Sequence, residues 1–123
     1  MKYKFVIEHI YGCTELVMCF EEKYKMLNNI FNEGMLLDLD IKEEWLNAID
    51  DTVKGELVNG DFGVQSGFGA EVGKEKTIIY CEFTDEEIEI STERFKKISE
   101  IWFATLEEFE KTGHIKIKEG IID

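Results

Sequence analysis

Two histidines, three cysteines and 27 carboxylates are the side chains through which this chain could do chemistry. Their spacing limits each of them. Histidine catalysis needs an imidazole beside a nucleophile or a carboxylate. His9 falls in an alternating run with Phe5 and Ile7, next to a turn, and His114 follows a helix end, where the last carbonyls favour a cationic ring. The two lie far apart and no His-Glu-x-x-His pattern joins them, so they make no zinc motif. Cys13, Cys19 and Cys81 are odd in number and lack a Cys-x-x-Cys pair, which fits neither a disulfide framework nor a zinc ribbon. Reduced, mostly buried thiols are expected. No catalytic residue, cofactor site or metal site follows from these groups.

The carboxylates carry the more informative pattern. Of the net charge of −13, all is held in two stretches: residues 33–61 have nine acids against two lysines, and residues 82–93 have six acids and no base. The remainder of the chain sums to zero. A balance that fails in only two places marks a local negative field with something positive to meet. Asp38, Asp40 and Glu44 could serve calcium, but a calcium loop needs alternate ligands, a central glycine and a twelfth-position glutamate, and here Lys42 intervenes with no glycine. Gly67, Phe68 and Gly69 make no phosphate cradle, because strand-forming residues follow where a helix should open. Paired carboxylates for glycoside hydrolysis are defined by separation, which spacing along the chain does not give. Nucleic acid is disfavoured as a partner: phosphate neutralisation needs clustered cations, and Arg94 has only Lys96 and Lys97 beside it.

The elements that position these residues follow from periodicity. The 123 residues suffice for one core and fall short of two ordinary domains. No apolar stretch reaches the roughly 18 residues of a membrane span, and the alternation of residues 1–10 is unlike a secretion signal. A cytoplasmic protein with no membrane partner is the expectation. Residues 2–10 and 14–20 alternate about a short break at residues 11–13, predicting an antiparallel hairpin. Phe20, Tyr24, Leu27 and Phe31 recur at helical spacing, with Gly34 as the terminating residue. A second helix is expected from Asp40, with Asp40 as its cap, Glu43 closing a capping box, an inner stripe of Ile41, Trp45, Ala48 and Ile49 continued by Thr52 or Val53, and Gly55 as its end. Residues 59–73 are glycine-dense, so short twisted strands or a loop are expected. Residues 76–83 and 86–90 form a meander joined at Thr84 and Asp85. Ser91 or Thr92 starts the longest helix, whose stripe Phe95, Ile98, Trp102, Leu106, Phe109 ends at Gly113. Ile101, Phe103 and Ala104 widen its apolar face, so it is covered on two sides or meets a partner on one flank. Residues 114–118 read as a closing strand guarded by Lys116 and Lys118. The fold class is α+β: one domain with a mainly antiparallel sheet, two short helices and one long C-terminal helix.

Small size, a pI near 4.5 and two acid runs in one α+β domain resemble the immunity proteins of bacterial toxin and immunity pairs, including contact-dependent growth inhibition and related polymorphic systems. The acid runs Asp38, Asp40, Glu43, Glu44, Asp50, Asp51 and Asp85, Glu86, Glu87, Glu89, beside the aromatics Phe62 and Phe68, carry this resemblance over the whole chain. It implies a non-catalytic protein whose basic partner is a cognate toxin domain, a nuclease with a phosphate-binding active site. Glu56 and Asp61 extend the same partner surface. Two other readings compete. A DNA-mimicking inhibitor would string carboxylates at phosphate-like spacing, and a small enzyme would need a concave pocket near residues 60–73 and His9.

Overall fold

The computed structural model describes residues 1–32, 34–55, 60–63 and 67–123. The N-terminal alternation forms β1 (Lys2–Ile10) and β2 (Cys13–Phe20), paired in antiparallel register from Tyr3 opposite Phe20 to Ile10 opposite Cys13. Tyr11 and Gly12 make the two-residue turn with φ of 50° and 79°, both left-handed, as the twist of a tight hairpin demands. Leu16, Met18 and Phe20 are buried with Phe5, while Tyr3 and Ile7 are half-buried.

The helical spacing after Phe20 does not yield one continuous helix to Gly34. A 3-10 turn (Glu22–Leu27) runs into a single turn of helix, α1 (Asn28–Phe31), which ends at Asn32. The reason lies on the neighbouring sheet. Asn28 Oδ1 accepts the Phe20 amide at 2.9 Å, Asn32 Oδ1 accepts the Met18 amide at 2.9 Å, and Asn32 Nδ2 donates to the Met18 carbonyl at 3.1 Å. Two amide side chains one turn apart thus occupy half of β2's outer edge and satisfy backbone groups that a further strand would otherwise claim. Gly34 instead opens a second 3-10 turn (Gly34–Leu37).

Helix α2 (Lys42–Val53) follows a 3-10 turn (Leu39–Ile41) and has no side-chain cap of its own at Ile41; Asp38 caps the turn that leads into it. Asp38 Oδ1 accepts the Asp40 amide at 2.9 Å, so the capping role expected of Asp40 with Glu43 moves two residues upstream. The extra 3-10 turn absorbs Asp40 into the helix entry. Trp45, Ile49 and Thr52 face inward, Val53 is exposed, and Gly55 ends the helix with φ of 83°. Strands β3 (Gly60–Gly63), β4 (Phe68–Val72), β5 (Lys76–Cys81) and β6 (Glu87–Ser91) then form a four-stranded antiparallel sheet in sequence order. Tyr80 lies over Gly69, the residue directly opposite it, leaving no space there for a Cβ.

Helix α3 (Thr92–Thr112) starts with Ser91 Oγ accepting the Arg94 amide and ends at Gly113 with φ of 74°. Thr92, buried in its first turn, donates to the Gly73 carbonyl at 2.6 Å, so the Thr77 hydroxyl 2.9 Å away must donate to Thr92. That chain fastens the helix start to the β4–β5 turn. Of the residues that widen the apolar face, Phe103 is fully buried beside Trp102, Ile101 is half-buried and Ala104 is exposed, so the cover extends over the Phe103 flank only. Strand β7 (Glu119–Ile121) completes a three-stranded sheet in the order β2-β1-β7. It begins later than expected, because residues 114–116 bond back to α3 through Thr112 Oγ1 to the His114 amide and Glu108 Oε1 to the Lys116 amide. The architecture is α+β, and one hydrophobic cluster draws on both sheets and all three helices.

Two stability outcomes follow. Trp102 is fully buried and its indole N–H donates to the Leu36 carbonyl at 2.7 Å. Trp102→Ala is expected to cost about 3–5 kcal/mol in urea unfolding. Trp102→Phe, which keeps most of the apolar bulk but orphans that carbonyl, should cost about 1–3 kcal/mol. Asp38→Ala should lower stability by about 0.5–2 kcal/mol, whereas Asp40→Ala should stay within about 0.5 kcal/mol of wild type; the reverse order in denaturant midpoints would restore Asp40 as the cap.

Candidate interaction surfaces

The acids of the first run divide by their surroundings. Asp38, Asp40, Glu43 and Glu44 are exposed at the entry of α2. Asp40, Glu43 and Asp50 line an open depression of about 650 Å³ together with the half-buried Leu39 and Leu46, and with Lys42 and Asn47. Part of this field is cancelled internally. Lys96 on α3 bonds Asp50 at 2.6 Å, and that hydrogen bond raises the lysine above its ordinary pKa. Lys42 reaches Glu107 at 3.3 Å; Lys111 and Lys42 hold that carboxyl below its ordinary range. Asp51 is half-buried on α2. Glu56 lies outside the described residues. Asp61 and Phe62 belong to β3, where Asp61 is opposite Glu71 and Phe62 opposite Ala70.

The second run is less neutralised. Strand β5 ends at Cys81 and β6 begins at Glu87, so the connection is longer than the two residues expected, with the Cys81 amide bonded to the Glu86 carbonyl at 3.0 Å. Asp85 turns the loop with φ of 59°, a conformation that aspartate tolerates better than most residues. Glu82, Asp85, Glu86 and Glu87 are all exposed, and none forms a salt bridge among the described residues. Glu89 and Glu93 do have cations, Lys76 and Lys97, each at 3.6 Å.

Phe83 stands in the middle of this loop, 79% exposed. It is placed rather than loose: its ring sits over Gly67, whose φ is 90°, leaving no room there for a Cβ, and the Glu82 amide bonds the Gly67 carbonyl at 2.9 Å. Of the two aromatics expected beside the acid runs, Phe62 and Phe68, Phe68 is half-buried and packs against the core from β4. Its position opposite Cys81 puts it on the inner face of the sheet with Ala70 and Val72. On the outer face, the acids extend across strands: Glu71 and Glu89 flank Ile78, and Glu87 is opposite Tyr80.

Glu71 and Phe83 are the two residues that sequence reasoning missed. Glu71 was hidden because its stretch balances in charge. The signal for Phe83 was available: an apolar residue at the end of an alternating run and inside an acidic turn has no inward face to occupy.

Residues 60–63 and 68–72, named as a possible enzyme pocket, are paired strands, and residues 64–66 of that stretch lie outside the described part. His9 is exposed, with Nδ1 at 3.3 Å from Thr14 Oγ1, and His114 is exposed beyond α3. The three thiols are free; only Cys81 is buried, while Cys19 is half-buried and Cys13 is exposed, contrary to the mostly buried set expected. Among the described residues no group of three or more His, Cys, Asp or Glu could hold a metal ion, and no helix is long and apolar enough to cross a membrane. Comparison of the chain with protein-family models, with curated proteins and with solved structures gave no match.

Proposed function

We propose that this protein acts by binding rather than by turnover, as an immunity protein that occludes the basic active site of a cognate toxin domain, in the cytoplasm. The observation that carries the reading is Phe83, a positioned and exposed aromatic in a loop whose carboxylates form no salt bridge among the described residues. Interfaces keep their affinity in a few desolvated aromatic anchors, and they gain association rate from complementary charge. The Glu82–Glu87 loop offers both within one turn. A nuclease must present cations where phosphates bind, so an acidic loop with an aromatic centre suits the field that the nucleic acid would use. The acids at the entry of α2 supply a second surface to the same class of partner, weakened by Lys42 and Lys96.

The test is co-expression with a toxin domain encoded beside this chain, together with binding kinetics of the purified pair. Wild type should protect cells and form a stable complex on a sizing column. Reversing Glu82, Asp85, Glu86 and Glu87 to lysine should slow association and flatten its salt dependence. Phe83→Ala should mainly speed dissociation, by about 30-fold if it is an anchor of about 2 kcal/mol. Reversing Glu43 and Glu44 should do less than reversing the loop. Equal protection by wild type and all folded variants would remove both acidic surfaces from the mechanism; absence of protection and of any complex would end the immunity reading.

A further inference from the structure

The β1–β2 hairpin outruns the sheet it belongs to. Strand β7 pairs with β1 only over Lys2–Lys4, and the Phe5 amide makes the last bond on that side, to the Lys118 carbonyl at 2.6 Å. Backbone groups alternate along a strand, so Ile7 and His9 present their N–H and C=O groups on the same side as Phe5. Neither has a partner among the described residues. The chain that could have covered them is held elsewhere, because Glu108 bonds the Lys116 amide. An open edge of this kind is a template for another strand.

The side chains beside the edge say which strand. Glu8 lies directly opposite Glu15 on one face of the ribbon. Both are exposed, and neither has a cation among the described residues. Like charges directly opposite destabilise a hairpin. A second copy of this chain docking antiparallel through Ile7 and His9 would centre on Glu8 and align four carboxylates in one row, about 4.8 Å apart. A lysine or arginine on an incoming strand would instead relieve the pair. At the tip, Tyr11 is 101% exposed with φ of 50°. It neither packs nor eases a turn that favours asparagine or glycine, so neither folding term accounts for an aromatic there.

We infer that the free edge of β1 from Ile7 to Tyr11 docks an extended segment of a partner protein, with a lysine or arginine opposite Glu8. This is strand addition, in which backbone bonds give affinity and alternate side chains give selection. It uses none of the residues of the β5–β6 loop, and its test does not involve a toxin, so the two readings fail separately.

The test is a titration of the isotope-labelled full chain, followed by amide shifts and hydrogen exchange. Two blocked octapeptides serve as probes: one alternates Thr with Val and Lys, and its counterpart carries Glu for each Lys. Shifts and slowed exchange should centre on Ile7 and His9, with the Lys peptide bound about two- to fivefold tighter for each charge pair formed. Glu8→Lys with Glu15→Lys should invert the preference. His9→Pro removes an outward N–H without breaking a hairpin bond, and should abolish docking while leaving the far-ultraviolet spectrum unchanged. Tyr11→Asn should raise the unfolding midpoint and weaken docking. Equal affinity for the two peptides, or shifts that leave Ile7 and His9 untouched, would overturn the inference. Concentration-dependent dimerisation of the wild type that His9→Pro removes would also overturn it, by making a second copy the occupant.

Discussion

Phe31, Phe95 and Trp102 meet at ring separations of 6.0 and 6.4 Å, and the rest of the molecule is arranged about that contact. Each ring comes from a different obligation. Trp102 is met by Phe5 of the first sheet, in a stacked pair at 6.4 Å. Phe95 is met by Trp45 of α2 at 6.2 Å, and Phe31 also touches Phe20 at 6.3 Å. Helix α3 contacts strands of both sheets, and so does the Glu22–Phe31 segment, so the two sheets share one core through them. Both indole donors are satisfied inside this region, by the Leu36 carbonyl and by Ser99 Oγ at 3.0 Å. Leaving either unpaired in so apolar a setting would cost more than the bond contributes.

Strong local signals made most of this legible. Alternation over residues 2–20, the Phe95–Leu106 stripe and the glycine at 113 each have a single physical reading, and the structure follows all three. What could not be read depended on partners distant in sequence. Nothing local says that Asn28 and Asn32 will end a helix to serve a strand edge, or that Glu108 will hold back the segment meant for the last strand. The choice between Asp38 and Asp40 as a cap turned on a single 3-10 turn, which hydrophobic spacing does not encode.

The candidate surfaces were legible as charge and illegible as geometry. Counting acids found both runs, yet only placement shows that Lys96 reaches Asp50 from another helix while Glu82 to Glu87 find no cation among the described residues. Phe68 was placed beside the acid runs as a partner contact, but it belongs to a paired strand whose inner face it fills. The hairpin edge lay beyond any sequence argument, since it exists through where β7 stops.

The asparagine pair on β2 ties the sheet to the slow chemistry of the side chains themselves. Asn32 closes that edge as donor and acceptor at once, a dual role that an ionised carboxylate cannot fill. Hydrolysis of the amide, the usual fate of ageing asparagine, would leave a carboxylate that still accepts the Met18 amide but faces the Met18 carbonyl with no proton to offer. The edge would open by one bond and gain a repulsion, with no change in the core.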